Sequence, residues 1–229
     1  MPTGEDDVLH RVQCGILRPG DYWHVFPAVY SPTASNPNSK ARLAWRDGFH
    51  SMFYAGDTPA AALWETALRN AGVRQGYVYT DPVHLKGMSL ARLSLTVEVP
   101  LLDLRTPYRR ELVDANSALD AMWDHALKRS DYEATHDITQ QLMAQLMAAG
   151  YPDGAALRWH SRQAGSDSAF LFFEPPMTSA WWTYEDSDIF PLDELSGQEQ
   201  IRQALAHQGL TWRGAPGGTE FEPDLHECK

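Results

Sequence analysis

Apolar residues along this chain recur at two spacings, and those spacings predict strands and helices. Residues 91–99 alternate: Leu93, Leu95, Val97 and Val99 share one face, and Arg92, Ser94, Thr96 and Glu98 the other. That is the period of a half-buried strand. Residues 169–173 are continuously apolar, as in a strand covered on both faces. A strand over 155–161 precedes them, after the turn Tyr151-Pro152-Asp153-Gly154, and a short apolar strand opens at 8–12. Helical spacing predicts helices over 114–128 and 134–149. In the second, Ile138, Leu142, Met143, Leu146 and Met147 gather on one side. A late helix follows the capping box Ser196-x-x-Glu199 and carries Ile201 and Leu205. Strands do not alternate regularly with helices, so the pattern gives α+β rather than a doubly wound parallel sheet.

One segment carries more than pattern. Phe53-Tyr54-Ala55-Gly56-Asp57-Thr58-Pro59 reads as a strand and a tight turn, and a helix follows. Thr58 suits the N-cap, and Pro59 suits the first helical position, where its missing N–H costs nothing. Ala61, Trp64, Glu65 and Leu68 then fall on one helical face, and Asn70-Ala71-Gly72 closes the helix. Glu65 therefore stands where the apolar residues stand. Burying an unpaired carboxylate costs several kcal/mol, so it needs a partner, a ligand or a cleft. Ser161 shares a strand face with Leu157 and Trp159, which turns its hydroxyl inward with the same need.

Composition narrows the chemistry. A chain of 229 residues with 43% apolar content buries one substantial core, and 11% aromatic residues exclude wholesale disorder. A net charge of −11 argues against nucleic-acid binding, which rests on neutralising phosphates. A few local arginines would still hold a small anion. The two cysteines, Cys14 and Cys228, form no CxxC and suggest neither zinc nor a disulfide framework. GxGxxG, GxxxxGK[ST], HExxH and GxSxG are absent, and the histidines are scattered, so no metal is expected. No apolar run approaches the ~20 residues of a membrane helix. Residues 1–7 are acidic without an apolar stretch, so a cytoplasmic location is expected. Residues 31–40 form a polar loop with two prolines, and residues from about 214 onward are rich in Gly, Pro and Glu.

Four segments, taken in order, resemble the RES-domain family, toxins of bacterial toxin–antitoxin pairs with a fold related to ADP-ribosyltransferases. Leu9-His10-Arg11-Val12 is similar to the family's opening strand with its arginine. Ala41-Arg42-Leu43, ahead of Phe53-Tyr54, is similar to the segment that supplies a second arginine, a role for which Arg46 competes. Tyr54 and Glu65 stand eleven residues apart, as the family's tyrosine and glutamate do. Residues 148–161 and the apolar strand after them resemble its glycine turn and serine-bearing strand. On this resemblance, residues 1–229 form one RES-like domain with its core at about 8–175. Residues 176–229 are an acidic, irregular extension.

The resemblance implies an ADP-ribosyltransferase-like, mixed and antiparallel split sheet with flanking helices. It implies NAD as substrate rather than cofactor, cleavage of the nicotinamide–ribose bond, and a cognate antitoxin protein as partner. Water or phosphate would be the acceptor. Transfer of ADP-ribose to a protein, or a non-catalytic interaction protein on the same fold, are the alternatives, and a homo-oligomer is left open. Neither nucleic acid nor membrane is expected as a partner. Glu65, Tyr54 and Arg42 would be catalytic, and Arg11, Arg42, Tyr54 and Ser161 would bind substrate. The residue types suit this chemistry, whose transition state is oxocarbenium-like. Arg11 and Arg42 offer planar forks to a pyrophosphate, and Tyr54 offers a ring to stack or a hydroxyl for the ribose. Glu65 would face the developing positive charge. Arg46 precedes the turn signal Asp47-Gly48, so context favours Arg42.

Overall fold

The computed structural model describes residues 14–129, 136–150 and 155–214. Arg11, the strand expected over 8–12, the turn 151–154 and the tail from 215 lie outside the described residues. Strands β1 (Gly15–Leu17), β2 (Gly20–Pro27) and β3 (Ser51–Gly56) precede helix α1 (Pro59–Glu65). A hairpin of β4 (Gly72–Arg74) and β5 (Tyr77–Thr80) leads to β6 (Met88–Leu95) and β7 (Val99–Asp103). Helices α2 (Ala118–Lys128) and α3 (His136–Ala148) come next, then β8 (Ala156–His160) and β9 (Ser168–Glu174). Two short strands, β10 (Trp182–Thr183) and β11 (Ile189–Pro191), helix α4 (Leu195–Ala206) and β12 (Thr211–Gly214) complete the order.

The main sheet runs β1-β7-β8-β9-β3-β2-β6-β10, with β11 also on β6. Its β7–β8 pair is parallel and its other pairs are antiparallel. A small sheet, β12-β5-β4, stands beside it. This is the α+β class with a mixed sheet that the hydrophobic pattern predicts. The sheet's own curvature makes one core: Tyr22, Phe26 and Leu93 of one end pack with Phe53, Phe170 and Phe172 of the middle. Helices α2 and α3 close a second core over Leu157, Leu171 and Met52, and α1 and α4 a third over Val25 and Leu90. β9 is buried at every position from Ser168 to Phe173, so both of its faces are covered as its apolar run requires.

Several boundaries differ from the sequence reading, each for a local reason. Helix α1 ends at Glu65 instead of running to Asn70. The Thr66 hydroxyl donates to the Ala62 carbonyl at 2.5 Å, and Leu68 N reaches back five residues to Leu63 O. A side chain that satisfies the helix's own carbonyl competes with continuation. Leu68 is nonetheless fully buried, as its spacing predicts. The strand expected over 91–99 is two strands, because Thr96 N turns to the Trp181 carbonyl and the chain crosses to another part of the sheet. Helix α2 begins after Ser117, whose hydroxyl accepts from Asp120 N, not at residue 114. Helix α4 begins after Glu194, which places Ser196 inside the helix rather than at its cap. The segment after Pro176 is also less irregular than expected: β10 and β11 pair with the open side of β6, and Ile201 and Leu205 of α4 are buried.

The placement of the site follows from one discontinuity. β3 pairs with β9 over six positions and β2 with β6 over eight, but β2 and β3 meet at one register pair, Trp23 with Gly56. From that point the two strands part and the sheet splits. Gly56 permits the junction: a Cβ there would stand 2.6 Å from Ala62 N, so the strand end lies directly on the first turn of α1.

Candidate active site

The split opens a cleft of about 490 Å³, within the range of small-molecule sites. Its walls are β2, the loop of residues 30–42, Tyr54 and Met52 of β3, Trp159 of β8, and Glu65 with Thr66 at the end of α1. The Thr58 hydroxyl accepts from Ala61 N and so starts α1 as the N-cap rule predicts, and Pro59 occupies its first position. With its start fixed, the helix carries Glu65 to the cleft while Ala61 and Trp64, and Leu68 just beyond its end, go into the core.

Glu65 has 12% of its side chain exposed, and three groups converge on it. Ser161 Oγ donates to its Oε1 at 2.9 Å, and the backbone N–H of Arg162 donates to the same oxygen at 3.2 Å. Nε of Arg42 lies 3.8 Å from Oε2, an ion pair beyond hydrogen-bond reach. The inward hydroxyl predicted at Ser161 therefore finds its acceptor in Glu65, with Ser161 1% exposed and flanked by buried Leu157 and Trp159. Two donors on one carboxylate oxygen orient the group in the wall of the cleft.

Arg42 is 1% exposed, whereas Arg46 is exposed and donates from Nε to the Ser39 carbonyl at 3.5 Å. The difference arises in the backbone. Leu43 adopts φ 57, a left-handed conformation that costs a branched residue about 1–2 kcal/mol. Leu43 is fully buried, so the turn is held by packing as it sends Arg42 inward. Nη1 of Arg42 donates to the Ala126 carbonyl at 3.0 Å and to that of Leu127, the last turn of α2. A cation at a helix C-terminus is favourably placed. Arg42 thus links α2 to the carboxylate on α1.

Tyr54 Oη donates to the Arg42 carbonyl at 3.0 Å and accepts from Ser39 Oγ at 3.5 Å, which ties the loop to β3. The structure therefore brings together Glu65, Ser161, Arg42 and Tyr54 of the predicted set, while Arg11 lies outside the described residues. Two contributors escaped the sequence reading. The Arg162 backbone N–H has no sequence signature. His24 lines the cleft from β2, where it shares an apolar strand face with Tyr22 and Phe26; an imidazole between two aromatic positions was the available signal. Burial pushes its pKa down to about 4, although its hydrogen bond to the Tyr54 carbonyl offsets part of that shift. Among the described residues no cluster of metal-ligating side chains occurs, and no helix is long and apolar enough to cross a membrane.

Comparison with known proteins gives two findings. The family model described as RES domain matches residues 10–188. A chain in the crystal structure of the M. tuberculosis MbcT–MbcA toxin–antitoxin complex superposes with a TM-score of 0.53 at 13% identity. The match covers 83% of the present chain and 91% of the other. At that identity the likeness is one of fold. No curated protein sequence matches the chain.

Proposed function

The chain belongs to the RES-domain family, and on that premise we propose that it cleaves the nicotinamide–ribose bond of NAD and acts as the toxin of a toxin–antitoxin pair. The observation that carries this reading is the oriented carboxylate of Glu65, held by Ser161 and Arg162 and open to a cleft of nucleotide-binding size. Breaking a glycosidic C–N bond builds positive charge on the ribose carbon and ring oxygen. A carboxylate fixed in advance stabilises that charge without reorganising, an effect of about 3–4 kcal/mol for one such contact.

In this mechanism Oε1 stays with its two donors while Oε2 faces the nicotinamide ribose. Tyr54 offers its ring as a wall for the nicotinamide. Arg42 brings positive charge to the cleft for the pyrophosphate, with Arg11 as a second contact. The nicotinamide leaves with the electrons of the broken bond, and water or phosphate adds to the ribose carbon. The structural neighbour is a toxin–antitoxin complex, which supports an antitoxin protein as the partner of this chain too.

Purified protein with NAD, with and without inorganic phosphate, tests the reading. Nicotinamide should appear as NAD disappears, and free ADP-ribose or its phosphorylated form identifies the acceptor. Label from NAD retained on lysate polypeptides would replace this reading with protein ADP-ribosylation. Neither turnover nor label would overturn both. Expression alone in bacteria should lower NAD pools and arrest growth.

A further inference from the structure

Where β2 and β3 part, the Tyr54 carbonyl accepts from Nδ1 of His24 at 2.5 Å, a side-chain bond where a closed sheet would carry a ladder bond. A carbonyl only accepts, so Nδ1 holds the proton and Nε2 is left as a lone-pair acceptor. The ring is stacked on Phe53 at 4.3 Å and on Phe26 at 5.7 Å, which fixes its plane. No hydrogen bond to Nε2 occurs among the described residues. It belongs to the same cleft as Tyr54 and Glu65.

We propose that His24 is a specificity-determining residue: its fixed Nε2 accepts an N–H of the substrate's carboxamide, and it turns away a carboxylate in that place. The inference rests on the NAD reading above. That reading puts Tyr54 and Glu65 at the nicotinamide–ribose bond, and His24 is bonded to the backbone of Tyr54 itself, so the nicotinamide end is the part of NAD it is placed to meet. A carboxylate has no proton to donate and sets negative charge against the lone pair. The tautomer does not adapt without breaking the bond to Tyr54, and the Phe26 and Phe53 rings stacked on the imidazole oppose the charged form that would donate to a carboxylate. Sites built around a buried acceptor reject analogues that lack the donor far more strongly than apolar pockets reject a change of size.

The test compares kcat/KM for NAD and for its analogue with nicotinate in place of nicotinamide, in wild type and in His24→Gln. The ratio within one protein cancels any loss of folded material. Wild type should prefer NAD by about 100-fold or more. In the variant the preference should fall below about ten-fold, because a glutamine amide presents either a donor or an acceptor. An unchanged ratio in a variant that still consumes NAD would overturn the assignment to His24 and leave the NAD reading standing. Discrimination against the hypoxanthine analogue of NAD in place of the nicotinate one would also overturn it, by moving the contact to the other base. Should His24→Gln not fold, the nitrogen-15 resonance of Nε2 in wild type decides: nicotinamide should shift it and nicotinate should not. Failure of wild type to bind NAD at all overturns both readings.

Discussion

Helix α1 has a hollow at each end, and the two differ in opposite directions in size and in chemistry. At its N-terminal end, between Thr58, the loop of residues 163–167 and α4, lies a groove of about 760 Å³. At its C-terminal end lies the cleft of about 490 Å³. The groove is larger, but its one carboxylate, Asp167, accepts from the Thr58 hydroxyl at 2.7 Å and belongs to the cap that starts the helix. The amide of Gln208, in the turn after α4, accepts from Trp64 Nε1 and fastens that turn to α1. In the cleft four kinds of polar group line one space: a carboxylate, a guanidinium, a phenol and a neutral imidazole. Volume measures what fits; convergence of polar groups on open space marks where chemistry happens.

The largest effect expected from this contrast is at Glu65. Glu65→Gln keeps shape and one hydrogen-bond acceptor but removes the charge, so NAD turnover should fall about 100- to 1000-fold with the melting temperature little changed. Near-normal turnover would remove the chemical distinction between the two hollows.

That glutamate was legible in the sequence because everything placing it is local: an N-cap, a proline and the i+3/i+4 spacing of Trp64 and Leu68. The strands read at 53–56 and 169–173 were legible because their apolar patterns leave few alternatives, and the structure extends them to Ser51–Gly56 and Ser168–Glu174. The partners of Glu65 were not, since Ser161 and Arg162 are nearly a hundred residues away and reach it only through sheet order. His24 was missed because its role depends on a strand pair that fails to form, and no periodicity announces a missing ladder. β10 and β11 were missed for the converse reason. Two or three residues carry no period, and they are strands only because the side of β6 away from β2 accepts them.

The second test concerns charge on the cleft floor. His24 sits near pKa 4 in the folded protein against an ordinary value of about 6.5, so as pH falls the unfolded chain takes its proton first. The stability this neutral ring contributes is fully present above pH ~6.5 and is lost as pH falls toward 4, by up to about 3 kcal/mol. Denaturant midpoints at pH 7 and pH 4.5 should therefore drop more in wild type than in His24→Gln. Equal drops would mean that the imidazole is less enclosed than its stacking indicates.

The third sharpens the division between Arg42 and Arg46. Arg42→Ala removes a buried, charge-assisted set of contacts worth about 1.5–3 kcal/mol, so kcat/KM should fall about 10- to 100-fold. Arg46→Ala, which alters an exposed side chain, should change it less than about 2-fold. The split between constants locates the effect. A rise in KM places Arg42 on the pyrophosphate, and a fall in kcat places it behind Glu65, whose Oε2 is 3.8 Å from its Nε. The reverse ordering of the two variants would transfer the role to Arg46.

The smallest expected effect is also the control on which the comparison depends. Gln200 and Gln203 line the larger groove from α4, and Gln203 donates to Glu199 one turn earlier on an exposed face. Replacing both by Ala leaves the Thr58–Asp167 cap and the Trp64–Gln208 contact in place, so α1 and its glutamate should not move. Gln203 is exposed and Gln200 half-buried at the groove, and surface substitutions of this kind change stability by about 0.5 kcal/mol each. Alanine is also the better helix former, which offsets part of that. NAD turnover should therefore stay within about 2-fold of wild type. A ten-fold loss, with the fold intact, would show that the groove takes part in binding the nucleotide. The site would then extend along the whole of α1 rather than sitting at its C-terminal end.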